Sequence, residues 1–122
     1  MAEQPNAPVL GQGESVVREG DADYTGGHTT KGEKIKGKLI LSNKRIRFDY
    51  TSKAGMFRTR TDVLFNVTVD KIVACRIEKM SILGAKGLKI EFEDRNGIMQ
   101  HPIFKIQDPD GWVSAINQIM AG

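Results

Sequence analysis

The sequence predicts a mainly β fold of seven antiparallel strands closed by one C-terminal α-helix. Seven segments alternate apolar and polar residues with the two-residue period of half-buried strands. Gly, Asn and Asp cluster between them, where turns need such residues. After Asp108-Pro109 the apolar spacing changes to three and four residues, the period of a helix.

The first strand runs from Ser15 to Thr25 with Val16, Ala22 and Tyr24 on one face, and Gly20, Asp21 and Asp23 interrupt it as a bulge or bend would. A glycine-rich connection, Gly26 to Gly32, leads to the second strand. There Ile35, Gly37, Leu39 and Leu41 share one face and Lys34, Lys36 and Lys38 the other. On the third strand Ile46, Phe48 and Tyr50 face inward while Arg45, Arg47 and Asp49 face out. Directly opposed residues of an antiparallel pair share a face, so the apolar sets match when Leu41 pairs with Ile46 and Leu39 with Phe48. Ser42 to Arg45 is then the connection, and Lys38 stands across from Asp49.

Val63, Phe65, Val67 and Val69 form the inward face of a fourth strand, Val73, Cys75 and Ile77 of a fifth, and Leu88, Ile90 and Phe92 of a sixth. Gly84 and Gly87 mark the turn between the fifth and sixth, and Asp94-Arg95-Asn96-Gly97 is a hairpin turn. The seventh strand, about Ile98 to Lys105, contains Pro102, which removes a ladder donor and makes the strand bulged or an edge. Asp108 suits an N-cap and Pro109 the first helical position, and Trp112, Val113, Ile116, Ile119 and Met120 follow on one helix face. Leu39, Leu41, Ile46, Phe48, Ile90, Phe92, Trp112 and Ile116 are assigned to one core.

The stretch Gly37-Lys38-Leu39-Ile40-Leu41-Ser42-Asn43-Lys44-Arg45-Ile46-Arg47-Phe48 resembles the signature of GRAM domains and their bacterial and archaeal relatives, members of the pleckstrin-homology-like superfamily. A weaker similarity runs from Gly13 to about Ala121, through Gly13-Glu14, Val69-Asp70-Lys71-Ile72, Gly87-Leu88-Lys89-Ile90 and Trp112. The resemblance implies a seven-stranded, strongly bent antiparallel barrel or sandwich with one end plugged by the C-terminal helix. On this reading residues 1–13 form a flexible tail and residues 14–122 the PH-like, GRAM-type domain. The resemblance also implies phosphoinositide or other anionic head groups as ligands, held at the glycine-rich connection and on the basic hairpin beside it. The candidates by position are Lys31, Lys34, Lys36, Lys38, Arg45 and Arg47.

Charge supports an anionic partner. The net charge is +3, but residues 31–60 hold ten Lys and Arg against Glu33 and Asp49, so this segment carries +8 and the remainder −5. The same lysines are also what solvated strand faces and protected edges look like. Lys53, Met56, Phe57, Arg58 and Arg60 form a loop in which two large apolar residues are ringed by cations. Two readings of it stand: a membrane or partner contact with an apolar tip, or side chains that fold back over the open end of the barrel.

Catalytic constellations are missing. His28, His101 and Cys75 are the only histidines and thiol, so no four-ligand Cys/His metal site can be built, and there is no phosphate-binding loop, dinucleotide fingerprint or nucleophile elbow. His28 reads as an exposed loop residue, His101 as a surface strand residue and Cys75 as a buried, inert thiol. No enzyme activity, metal or cofactor is expected. Nucleic-acid binding is disfavoured, because the outward faces of the second and third strands lack stacking aromatics. The lone cysteine and the lack of an apolar run near 18 residues suit a cytoplasmic protein, peripheral on the inner face of a membrane when docked. Two function classes follow: a non-enzymatic module docking to anionic phospholipid head groups, and a protein-interaction or self-assembling scaffold module that uses a strand edge or the helix–sheet groove. Oligomeric state stays open.

Overall fold

The computed structural model describes residues 10–28, 34–53, 59–80 and 84–122. Its elements in order are β1 (Val16–Tyr24), β2 (Ile35–Ser42), β3 (Arg45–Lys53), β4 (Thr59–Thr68), a 3₁₀ turn (Val69–Lys71), β5 (Ile72–Lys79), β6 (Lys86–Glu93), β7 (Met99–Gln100), β8 (Ile103–Ile106) and α1 (Pro109–Ala121). The expected seventh strand is present but split at His101-Pro102 into β7 and β8, as a proline without an amide proton requires. The strands form one antiparallel sheet in the order β4-β3-β2-β1-β8-β6-β5, with β7 alongside β6. The sheet is unclosed: β4 and β5 end it.

Ring contacts show how far the sheet bends. Phe48 on β3 and Phe104 on β8 are 4.9 Å apart although two strands lie between them, and Phe65 on β4 is 4.9 Å from Phe92 on β6. Strands about 4.8 Å apart in a flat sheet would hold those rings far from each other. The sheet therefore folds over on itself, and Tyr24 joins the same aromatic cluster. Gly37 permits the close approach at β2: a Cβ there would collide with the Asp49 carbonyl and lie 2.7 Å from the Phe48 ring.

The predicted β2–β3 register is observed, with Leu41 opposite Ile46, Leu39 opposite Phe48 and Lys38 opposite Asp49. All eight residues assigned to the core are buried together. Helix α1 packs on β5 and β6 and reaches β1. Asp108 caps it by accepting from the Gly111 amide, Pro109 opens it, and Trp112 and Ile116 are its buried anchors. Arg18 of β1 lies over the Trp112 ring, 5.3 Å from its centroid, and donates to Asp108 at 2.7 Å. One strand side chain thus holds both the cap and the anchor of the helix.

Three valines expected on inward faces point outward, for one reason. The ladder shifts register between Val16 and Arg18 on β1, opposite Phe48/Asp49 at Leu64 on β4, and between Ile72 and Ala74 on β5. Each extra residue inverts the alternation. Val16, Val63 and Val73 are 38%, 45% and 59% exposed, while Leu64 and Ile72 are buried in the core. The irregularity of β1 lies at Val17, not at Gly20. Gly87 belongs to β6, with Met80 against it, and only Gly84 of that pair lies outside the strands.

Two outcomes test this packing. Trp112→Ala should lower unfolding free energy by about 3–5 kcal/mol. In denaturant titrations Ile72→Ala should cost about 2–4 kcal/mol, whereas Val73→Thr should stay within about 0.5 kcal/mol; equal costs at both positions would exclude the β5 bulge.

Candidate functional site

The connection between β2 and β3 is a clamp on the chain entering β1. Glu14, whose side chain is fully buried, receives two bonds from Arg45, Nε at 2.9 Å and Nη2 at 2.8 Å, a short bond from the Ser42 hydroxyl, and the Gly11 amide at 2.8 Å. Ser42 Oγ in turn accepts the Lys44 and Arg45 amides. Asn43 accepts the Ser15 amide and donates to the Gly13 carbonyl, and Lys44 Nζ donates to the Gln12 carbonyl at 2.7 Å. Every residue of Ser42-Asn43-Lys44-Arg45 therefore holds some part of Gly11 to Ser15, including residues that the sequence assigns to the tail. The Ser42 hydroxyl, then Arg45 and the Gly11 amide, hold the Glu14 carboxyl down to about 2.

Arg47 is committed too. Its guanidinium grips Asp49 through Nε at 2.8 Å and Nη2 at 3.1 Å, and the two side chains are only 16% and 6% exposed. Lys38 sits in register between Asp21 of β1 and Asp49 of β3, and Lys36 opposite Asp23. The outer face of the hairpin is thus a lattice of alternating charge around a shallow groove of about 540 Å³. It is not a continuous basic surface, although residues 31–60 are strongly basic.

Cations without a buried partner collect at the ends of the strands. Lys34 and Lys36 are exposed at the start of β2. Arg60, at the start of β4, is 67% exposed and meets Asp62 at 3.0 Å. Lys53 ends β3 at the same edge, with its side chain outside the described residues; Lys31, Met56, Phe57 and Arg58 also lie outside them. The chain leaving β1 runs beside the split strand: Thr25 donates to the Ile103 carbonyl, Ile103 to Gly26 and His101 to Gly27. The Asp94–Gly97 turn, with exposed Arg95, lies beside Asn66–Thr68 of β4 and Lys71.

His28 is not the freely exposed loop residue expected. Its ring stacks on Phe65 at 6.2 Å and leans on Phe92 at 6.1 Å, and its amide donates to the Tyr24 hydroxyl at 2.9 Å. Burial lowers its pKa, and nearby Asp94 partly opposes that. It floors a second hollow of about 400 Å³ rimmed by Lys71, Asn66 and Arg95. His101 is a surface residue 3.6 Å from Glu91, and Cys75 is half-buried against α1 with its thiol pKa raised by burial. Glu91 is mostly covered and also takes Arg76. Among the described residues no group of three His, Cys, Asp or Glu is placed to hold a metal ion. None of the described helices is long and apolar enough to cross a membrane.

The clamp makes an acid-sensitive prediction. Arg45→Ala leaves the buried Glu14 carboxylate with only Ser42 and Gly11, and should cost about 3 kcal/mol at neutral pH. Glu14 has a folded pKa below its ordinary 4.5, so its contribution is full above that value and disappears as pH falls toward about 2. The stability gap between wild type and Arg45→Ala, measured by urea titration, should therefore narrow across that window. A gap constant with pH would remove the ion pair from the account.

No family model matches the chain, and no curated protein matches it. Solved structures do. The C-terminal domain of an unknown protein from Leishmania infantum aligns at 13% identity over 91% of this chain and 88% of that one, with a TM-score of 0.63. The Vps36 N-terminal PH domain aligns at 14% identity over 97% and 90%, with a TM-score of 0.61. The DH/PH domains of p115-RhoGEF align at 12% identity over 89% of this chain but 31% of that one, with a TM-score of 0.58. An unclosed antiparallel sheet bent over one C-terminal helix, shared with these domains, is the pleckstrin-homology-like fold.

Proposed function

We propose that the chain is a non-enzymatic binding module of the GRAM type that docks end-on to anionic phospholipid head groups. The observation that carries this reading is the division of the cations. Arg45 and Arg47 are tied to the covered carboxylates of Glu14 and Asp49, whereas Lys34 and Lys36 are exposed at the start of β2 and Arg60 stays 67% exposed with only the surface Asp62 beside it. Lys38 is a weaker contributor because two aspartates flank it. Each Lys or Arg near an acidic leaflet contributes about 1 kcal/mol, so several together give weak, reversible, salt-sensitive recruitment to the inner face of a membrane from the cytoplasm.

A second reading, a protein partner adding a strand, is favoured by one feature. The outer edge of β4 ends the sheet, and its regular segment Asn66–Thr68 borders the hollow floored by Phe65, Phe92 and His28. The bulge at Leu64 counts against it, since bulges blunt an edge toward pairing. One structural neighbour is the complex of the PDZ-RhoGEF DH/PH domains with GTP-γ-S-activated RhoA, of which this chain covers 30%.

Co-sedimentation with phosphatidylcholine–phosphatidylserine vesicles across a salt series separates the readings. Lys34→Glu/Arg60→Glu should reduce binding by about a hundredfold at low salt, because it removes four units of charge from the docking end. Lys44→Glu, at the opposite end of β2, should have a much smaller effect. Replacing part of the phosphatidylserine by a phosphoinositide at equal total charge tests head-group choice. Absence of binding by wild type at low salt shifts the weight to the strand-adding partner.

A further inference from the structure

We infer that the open edge of β5 pairs antiparallel with β5 of a second copy of this chain, with Ile77 of each copy meeting on a twofold axis. The inference goes beyond the docking reading above and needs no membrane. β5 ends the sheet. The Met80 amide bonds to the Ala85 carbonyl across the β5–β6 pair, so the alternating residues Glu78, Arg76 and Ala74 are the ones that bond to β6. Ile90, opposite Cys75, sends its amide the other way, to the Pro102 carbonyl, which fixes the same phase. Cys75, Ile77 and Lys79 therefore direct their N–H and C=O groups out of the sheet, and among the described residues no backbone group bonds to them there. The bulge at Val73 lies before this stretch, which is regular through Lys79.

Charge selects both the occupant and the register. Outward-directed backbone must meet outward-directed backbone, so Cys75, Ile77 and Lys79 pair among themselves. With Arg76 or Glu78 on the axis, like charges would stand opposite each other; with Cys75 on it, Arg76 would face Ala74. With Ile77 on the axis, Arg76 faces Glu78 of the second copy and Glu78 faces its Arg76, while Ala74 faces Met80, small against large. These are non-hydrogen-bonded pairs, in which opposed side chains come closest. Both charged groups are available for it. The Arg76 side chain is 58% exposed beside Glu91, with guanidinium donors to spare. Glu78 stands opposite Gly87 in its own sheet, where no side chain can meet it, and has no ion pair among the described residues. One short strand thus carries both halves of each ionic and apolar pair, which is what a twofold contact between identical chains requires.

The test uses the whole chain at low salt, without lipid. Sedimentation velocity over a concentration series should show a monomer–dimer equilibrium, and amide hydrogen exchange should slow at Cys75, Ile77 and Lys79 as concentration rises. Arg76→Glu and Glu78→Arg, each alone, place like charges opposite one another in both reciprocal pairs and should weaken the dimer about thirtyfold. An equimolar mixture of the two variants restores unlike pairs between copies and should form a heterodimer at near wild-type strength, which a folding defect in either variant could not produce. Exchange in the wild type decides independently of both variants. Wild type that stays monomeric at millimolar concentration overturns the inference and leaves the edge to a foreign strand. A dimer that both variants retain, a mixture that fails to associate, or exchange at those three amides that ignores concentration overturns the β5 pairing.

Discussion

A buried carboxylate must be compensated, and most of the local architecture around Glu14 follows from that. Burying an ionised group without partners costs far more than a domain of this size can lose, so Arg45, Ser42 and the Gly11 amide converge on it. Once Arg45 is fixed, the turn from Ser42 to Arg45 has one conformation, and Asn43 and Lys44 are positioned to take the backbone of Gly13 and Gln12. The most family-like stretch of the chain is therefore a structural latch. Its Lys44, Arg45 and Arg47 side chains each bond to groups of the protein itself.

That reassignment changes where an anion can meet the molecule. Counted along the sequence, residues 31–60 are strongly basic; counted in space, the hairpin face is nearly balanced because Asp21 and Asp23 of β1 lie in register with Lys38 and Lys36, and Asp49 takes Arg47. Residues brought together by the β1–β2 ladder cancel a field that the linear sequence displays. What survives is exposed cation at the strand ends, Lys34 and the solvent-facing Arg60 with Asp62 beside it.

Much of the fold was legible because hydrophobic periodicity is strict where strands are regular. The β2–β3 register and the positions of Leu88, Ile90 and Phe92 follow from alternation alone, and Asp108-Pro109 announces the helix. Alternation fails where a bulge inserts a residue, and there Val16, Val63 and Val73 were assigned to the wrong side. The signal was present as apolar doublets: Val16-Val17, Leu64-Phe65 and Ile72-Val73 each place two apolar residues in succession, which no single strand face can bury. The candidate site was less legible. Glu14 stands 31 positions from Arg45, and nothing in the spacing of either residue points to the other. His28 looked like a loop residue because only the folded sheet brings Phe65 and Phe92 beneath it.

The junction between β1 and β8 has a kinetic consequence. β1 to β4 form a meander of neighbouring strands, and β5 and β6 are a hairpin; both can assemble from contacts close in sequence. The two parts join through Ala22, Asp23 and Tyr24 against Ile106, Lys105 and Phe104, continued by the backbone bonds of Thr25 and Gly26 with Ile103 and of Gly27 with His101, a closure across about 80 residues. Loop-closure entropy opposes that step until the aromatic cluster and Trp112 reward it, which places the barrier to folding at the joining of the halves. During synthesis the first four strands leave the ribosome before β8 exists. Until it does, the β1 edge that β8 will occupy is an unpaired strand edge in a nascent chain, and an apolar sheet face beside it waits for its cover.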